Sequence, residues 1–211
     1  MRQKFFNEKL QQVLDQLKPG YTVQMEMAPK PRPGTRPFDE IQSQSKQAGV
    51  LILLYPYQQE IYLVLTQRTN HVAHHKDQIS LPGGHVEKQE NPEHAALRET
   101  REELGVDLKE VQVLGPLTPL YIPPSEYCAH PYVAWINKKP FFHPSPQEVS
   151  EILEIPVSYF SDSKNVHEER WVVRGTAMDV PFYSFGNHKI WGATAMILSE
   201  FLWCLKRAKW S

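Results

Sequence analysis

Cysteine is nearly absent: Cys128 and Cys204 are the only two in 211 residues. Two thiols give no disulfide framework, and their spacing gives no metal-ligand set. Both stand among apolar residues and are expected to be inert. Neither sign of charge is in excess, the formal net charge being −1 at pH 7. No global field therefore draws in nucleic acid or an anionic membrane, and an anionic substrate has to be met by local groups. No apolar run approaches membrane-spanning length, and the opening MRQKFFNEKLQQ has no apolar signal core; the expectation is a cytoplasmic protein. No internal repeat is present. The length suits one large domain, or a domain with an appendage, with a substantial core.

What the chain does have is an unusual stretch from Leu81 to Val106, LPGGHVEKQENPEHAALRETREELGV. Asn91 is a good N-cap, Pro92 suits the first helical position, and Gly105 sits where a left-handed residue ends a helix. The spacing predicts a helix over Pro92–Leu104. On it Glu99, Glu102 and Glu103 fall at i, i+3 and i+4, so three carboxylates share one face. Leu97 and Leu104 take the opposite face with Thr100 at its edge, and Arg98 stands four residues before Glu102. An acidic helix face is ordinarily just a solvated one. Three like charges in a cluster nevertheless destabilise a helix unless something neutralises them, and a hard divalent cation with oxygen ligands does so. The glycine pair just upstream lets a bare backbone carbonyl approach the same ion.

The stretch resembles the box of the Nudix hydrolases, G-x(5)-E-x(7)-R-E-U-x-E-E-x-G-U, with U a bulky apolar residue. Gly84, Glu90, Arg98, Glu99, Glu102, Glu103, Gly105 and Val106 fill it without a gap. Thr100, at the first U, is the one departure. The resemblance implies an α/β fold, an α/β/α sandwich around a mixed β-sheet, and metal-assisted attack of water on a diphosphate X–O–P–O–P–O–Y. It makes Glu99 and Glu103 the principal ligands of Mg²⁺ or Mn²⁺, with the Gly83 carbonyl as a third. Glu102 then binds a further ion or takes the water's proton. Arg98 and Glu90 hold the glutamates in place beside Gly84.

Around this stretch the chain is read as an extension, residues 1–46, and a hydrolase domain, residues 47–211. Phe6, Leu10, Val13, Leu14 and Leu17 make an amphipathic helix that stops at Pro19-Gly20 and is expected to dock on the domain, a partner-binding helix being the lesser reading. APKPRPGTRPF carries four prolines and suits an extended linker; Lys30, Arg32 and Arg36 in it are solvated or reach substrate phosphates. Gly49–Tyr55 reads as a strand buried on both faces, returning through Gln58-Gln59 to a second strand at Ile61–Thr66. Val111–Leu117 and Tyr132–Ile136 are further strands, joined by a loop over Thr118–Glu126. Pro144–Val157 reads as a loop or turn entering a strand, and from such loops the family sometimes brings a glutamate to the attacking water. Glu148 and Glu151 are candidates for it, against the ordinary reading of surface carboxylates. Glu169–Val173 and Val180–Phe185 read as a hairpin near the sheet edge, and Lys189–Lys209 as a long helix.

Residues 67–80 are rich in His, Arg and Lys. His71, His74 and His75 invite a zinc site, but no cysteine or fourth ligand accompanies them, and a basic loop over an anionic substrate is better motivated. Arg68 and Lys76 are the candidates for substrate phosphates. The region is similar to the signature of the coenzyme A pyrophosphatase branch, L-L-T-x-R-[SA]-x(3)-R-x(3)-G-x(3)-F-P-G-G. Leu65, Thr66, Arg68, Pro82, Gly83 and Gly84 match it, while Val64, Thr69, Ala73, Asp77 and Leu81 depart. Ala73 replaces a cation and Asp77 adds an anion beside a polyanionic ligand. The IWGATA segment opening the last helix also resembles that branch. The implied substrate is coenzyme A or an acyl derivative, cut to 3′,5′-ADP and 4′-phosphopantetheine. Another nucleoside diphosphate, such as ADP-ribose or a dinucleotide, is the alternative. A binding module on a spent scaffold is a third reading, and such proteins usually lose box carboxylates that this chain keeps. The expected partner is a small nucleoside diphosphate, with no membrane and no specific nucleic-acid binding; a homodimer is left open.

Overall fold

The computed structural model describes residues 2–17, 19–32, 34, 44–69 and 78–208. Its axis is β1 (Lys46–Tyr57), whose middle, Leu51–Tyr55, is fully buried. A strand with Ile52 and Leu54 on one face and Leu51, Leu53 and Tyr55 on the other needs a layer on each side. Residues Gln58 and Gln59 turn the chain, both with positive φ (49° and 68°), as a two-residue hairpin matched to strand twist requires. β2 (Glu60–Arg68) then pairs antiparallel with β1, Leu54 opposite Leu63. On the other side β1 runs parallel to β7 (Tyr127–Ile136), Leu51 opposite Tyr132.

β3 (Ile79–Ser80), β4 (Gly83–His85), β5 (Val111–Pro116), β6 (Leu120–Ile122) and β8 (Val149–Pro156) complete an eight-stranded mixed sheet. Its central order is β3-β2-β1-β7-β5, with β4 on β1, β6 on β7 and β8 on β2. On one face Leu51, Leu53, Tyr55, Val64 and Ala134 pack against Ala96 and Leu104 of α3 (Pro92–Leu104). On the other, Ile52, Leu54, Leu63, Leu65 and Trp135 pack against α1 (Arg2–Gln16) and α4 (Gly192–Arg207). Helix, sheet and helix make the three layers of the expected α/β/α sandwich.

The apolar face of α1 docks as anticipated. Phe6, Leu10 and Leu14 are buried, and the Phe6 ring lies 5.8 Å from that of Trp135, whereas Leu17 is exposed. The short α2 (Tyr21–Gln24) is fastened by Glu200, a fully buried carboxylate on α4. Glu200 accepts hydrogen bonds from Gln24 Nε2 (2.7 Å), Thr118 Oγ1 (2.7 Å) and the Gly20 N–H (3.3 Å). A buried charge is tolerated only with such partners, so this one ties the extension, the loop after β5 and the last helix together.

Three local expectations change. The hairpin read near the sheet edge, β9 (Val166–Val173) and β10 (Thr176–Phe185), belongs to a separate three-stranded sheet completed by β11 (His188–Trp191). The last helix starts at Gly192 rather than Lys189, because Lys189–Trp191 pair with β10. Within the Thr118–Glu126 loop, Leu120–Ile122 form β6 against β7.

Candidate active site

Helix α3 is set by its ends and by one glycine beneath it. Asn91 Oδ1 accepts the His94 N–H at 2.8 Å, Pro92 takes the first turn, and the Gly105 N–H closes on Arg101 O at 2.8 Å. A Cβ on Gly49 of β1 would stand 1.9 Å from Pro92 O and 2.7 Å from Ala96 N. The helix therefore rests on bare strand backbone, and this contact fixes its height. Thr100 is not at the edge of the apolar face but fully buried in it. Its hydroxyl donates to Ala96 O at 2.6 Å, which removes the cost of a polar group where the Nudix box has an apolar residue.

At this height the three glutamates meet different surroundings. Glu103 is buried, 3% exposed, with its Oε2 accepting the Gly83 N–H at 3.2 Å. Gly83 is available because the bonds Leu51 N–H···O Pro82 and Val86 N–H···O Gln47 fall on odd-numbered residues of β1, and its partner Val50 is an even one. Antiparallel alternation leaves the polar groups of such a position outside the ladder. Burial pushes the Glu103 carboxyl up to about 8, opposed by the nearby Arg68 charge and the Gly83 hydrogen bond. Glu99 is half-buried and also raised, by burial first. Its carboxylate fills the space over Gly84, where a Cβ would come within 2.4 Å of it. Glu102 is the most open of the three.

Arg98 holds two of the three, Glu99 and Glu102, together with Glu90. Its Nε and Nη2 hold both oxygens of Glu90, at 3.0 and 3.1 Å, and Nη1 reaches Glu99 at 2.9 Å and Glu102 at 3.1 Å. Nη2 also donates to His85 O at 2.9 Å. The fork holds the guanidinium charge firmly, with Glu90 as the largest contributor, and Arg98 in return depresses the Glu90 carboxyl.

Arg68, at the end of β2, carries a buried Nε with no hydrogen-bond partner and raises the potential at Glu103. A cation with unused donors beside a carboxylate pair is placed for an anionic ligand. Lys76, the other phosphate candidate, lies outside the described residues, as do Arg36, Ala73, Asp77 and the three loop histidines. The 143–149 loop is tied to α3 by His143 N–H···O Leu104 (2.8 Å) and Ser145 N–H···O Glu103 (3.0 Å), and to β2 by Thr69 N–H···O Glu148 (3.0 Å). The tie brings Glu148 close enough to push both Glu99 and Glu103 upward. Glu151 points elsewhere, to His188 Nε2 at 3.2 Å. Lys30 pairs its backbone with Asp179, and Arg32 donates to Tyr121 O at 2.6 Å.

Among the described residues, no three Asp, Glu, His or Cys side chains converge on one point as a ready-made cation site. The donors fit a hard divalent ion in kind: they are all oxygens, and two are carboxyls raised by burial without a full counter-charge. A hollow of ≈ 320 Å³ opens on the three-stranded sheet beside His167, Phe182 and Lys189, not over these carboxylates.

Comparison with known proteins gives the family. The family description "NUDIX domain" matches residues 45–173. An uncharacterized Nudix hydrolase NudL of Photorhabdus laumondii is 34% identical over 139 residues, covering 65% of this chain and 74% of that protein. The human mitochondrial coenzyme A diphosphatase NUDT8 is 31% identical over 159 residues, covering 73% of this chain and 66% of that protein. In fold, the chain is similar to a MutT/nudix family protein from Enterococcus faecalis, with a TM-score of 0.50 at 19% identity, covering 75% of this chain and 61% of that one.

Proposed function

This chain belongs to the Nudix hydrolase family, and from that premise we propose that it cleaves the diphosphate of coenzyme A or an acyl-coenzyme A, yielding 3′,5′-ADP and the 4′-phosphopantetheine half. The observation that carries the reading is the gathering of Glu99, Glu103, Gly83 and Arg68 beside the pairing of β4 with β1, an acidic cluster with a cation beside it. The choice of coenzyme A is supported by the Leu65-Thr66, Arg68 and Pro82-Gly83-Gly84 matches, the IWGATA segment, and the printed name of the human relative.

Glu99 and Glu103 are the residues that would hold Mg²⁺ or Mn²⁺, with the Gly83 carbonyl, and Glu102 at the open side. Such an ion, when bound, neutralises non-bridging phosphate oxygens and lowers the pKa of the attacking water. The chain's own work is positional. Arg98, braced by Glu90, keeps Glu99 and Glu102 from drifting into solvent. Arg68 offers donors to the substrate's phosphate charge. Water attacks one phosphorus, the bridging P–O bond on the far side breaks, and the departing phosphate takes the electron pair. Two carboxylates stand to take the water's proton: exposed Glu102, and Glu148 on the loop fastened over the pair.

A second reading, a Nudix diphosphatase for ADP-ribose or a dinucleotide, is favoured by Ala73 and Asp77, which remove a cation and add an anion in the loop. Initial rates on coenzyme A, 3′-dephospho-coenzyme A, ADP-ribose and a dinucleotide, each with Mg²⁺ and with Mn²⁺, separate the two. Recognition of the 3′-phosphate through a charge-assisted contact makes coenzyme A better than its dephospho form by about tenfold to a hundredfold in kcat/KM. Equal rates on those two, or ADP-ribose ahead of both, would refute the coenzyme A assignment while leaving the diphosphatase intact.

A further inference from the structure

The three-stranded sheet ends in a strand with one open side. In the order β11-β10-β9, β9 pairs among the described residues with β10 alone, and the register shows which groups look outward. Arg174 and Gly175 close the hairpin on the pair Val173↔Thr176. Pro181, opposite Glu168, has no N–H to give, and Asp179, opposite Arg170, sends its N–H away to Lys30 O at 2.8 Å. The pairs at Glu168 and Arg170 are therefore the non-hydrogen-bonded ones. Glu168, Arg170 and Val172 turn their N–H and C=O groups to the open edge, and Val166 its C=O, its N–H being taken by Ser163 O.

We infer that this edge is a self-association surface, β9 pairing antiparallel with β9 of a second copy about a two-fold axis through Glu169. The residues that present the backbone read Val-Glu-Arg-Val, which is complementary to its own reverse. The register sets Val166 against the partner's Val172 and Glu168 against the partner's Arg170, and symmetry repeats both contacts. The Glu168–Arg170 pairs exchange both backbone N–H···O bonds, the Val166–Val172 pairs form one each, from the Val172 N–H to the Val166 carbonyl, and the two sheets become one of six strands. Val172 and Val166 are otherwise exposed, at 75% and 39%, and Glu168 has no ion pair among the described residues. Glu169 meets its own copy on the axis, but its charge is already met within each chain by Lys189 Nζ at 2.6 Å and Trp171 Nε1 at 2.7 Å. Sliding the strands one step either way sets arginine against arginine or glutamate against glutamate, which is destabilising. An uncovered edge strand is a pairing template, and the charge order here selects a second copy of this chain in one register.

Sedimentation equilibrium on the full chain over a wide concentration range tests this. The wild type is expected to dimerise. Glu168→Arg and Arg170→Glu each place like charges at both symmetric contacts and weaken the dimer by roughly tenfold or more. Arg170→Glu also loses the bond to Asp179, so a fold change in that variant alone is separated by mixing. Equal amounts of the two variants should associate as a heterodimer, since each new charge then faces its opposite at both contacts, and Glu168→Arg/Arg170→Glu in one chain should recover the homodimer. A wild type that stays monomeric throughout overturns the inference. So do variants that associate as tightly as wild type, and a mixture that stays apart.

Discussion

Glu103→Gln separates the cost of a buried charge from its use. In the folded chain burial holds the Glu103 carboxyl at about 8, against an ordinary value of 4.5. The folded-state value is the higher one, so the native state keeps this proton longer than the unfolded chain does. Stability is then unaffected by this group below about pH 4.5, falls as pH rises towards 8, and is flat above. At about 1.4 kcal/mol per pH unit the span sets a ceiling of about 5 kcal/mol. Water entry and relaxation around an ionised carboxylate reduce that, and about 1–3 kcal/mol is the expected penalty at pH 8. Glutamine has the shape of the protonated acid and keeps an acceptor for the Gly83 N–H.

The measurement is urea unfolding of both proteins in EDTA from pH 5 to 9. The curves should nearly coincide at pH 5 and separate above it, with the variant the more stable. Mg²⁺ at a hundredfold over its Kd should then stabilise the wild type by about 2.7 kcal/mol and the variant by much less, while turnover in the variant falls by orders of magnitude. A variant less stable than wild type at pH 8 in EDTA would refute the reasoning. It would mean that Arg68 pairs with an ionised Glu103 in the native state and more than offsets its burial.

Other outcomes follow from the same contacts. Gly84→Ala puts a methyl group within 2.4 Å of the Glu99 carboxylate; activity should fall on the order of a hundredfold with the unfolding midpoint little changed, and unchanged kinetics would show that Glu99 is not where the ion binds. Gly49→Ala drives a Cβ into Pro92 O and Ala96 N; it should cost about 3 kcal/mol or more in chemical denaturation, since α3 can yield only by lifting from the sheet. Activity should vanish in EDTA, return with Mg²⁺ or Mn²⁺ and rise toward alkaline pH, where the attacking water is more readily deprotonated; turnover that ignores the chelator contradicts the mechanism.

The sequence discloses those parts of the site that are local. The caps of α3, the shared face of Glu99, Glu102 and Glu103, and the reach of Arg98 to Glu102 all follow from helical spacing within one segment. Arg98 bridging to Glu90 also needs the loop between them to fold back, and the spacing of the box alone carries that. What was not legible depends on contacts between distant segments. Nothing in an isolated GVLILLY run says that Gly49 lies beneath Pro92, yet that contact sets how deep Glu103 sits. The neighbourhood of Arg68 and Glu103 joins residues 35 positions apart through strand register. Glu148 and Glu151 are equivalent as letters; only the β2–β8 pairing, irregular at Gln67/Arg68, separates the one beside the carboxylates from the one at His188.

The second sheet is hidden from the sequence for a related reason. Alternation identifies a hairpin but not the sheet it joins: β9 is exposed along most of its length, and the buried Met178, Val180 and Phe182 of β10 lie outside both faces of the central sheet's core. Tyr183 and Ile190 do reach the main core, but from a separate sheet. The same weakness is what leaves β9 with an open edge. A strand whose outward backbone belongs to Val166, Glu168, Arg170 and Val172 is too polar for the interior and too ordered in its charges for an ordinary surface. Its open backbone and its charge order are the two features on which the proposed pairing with a second copy rests, and sedimentation of the charge-reversed variants tests both.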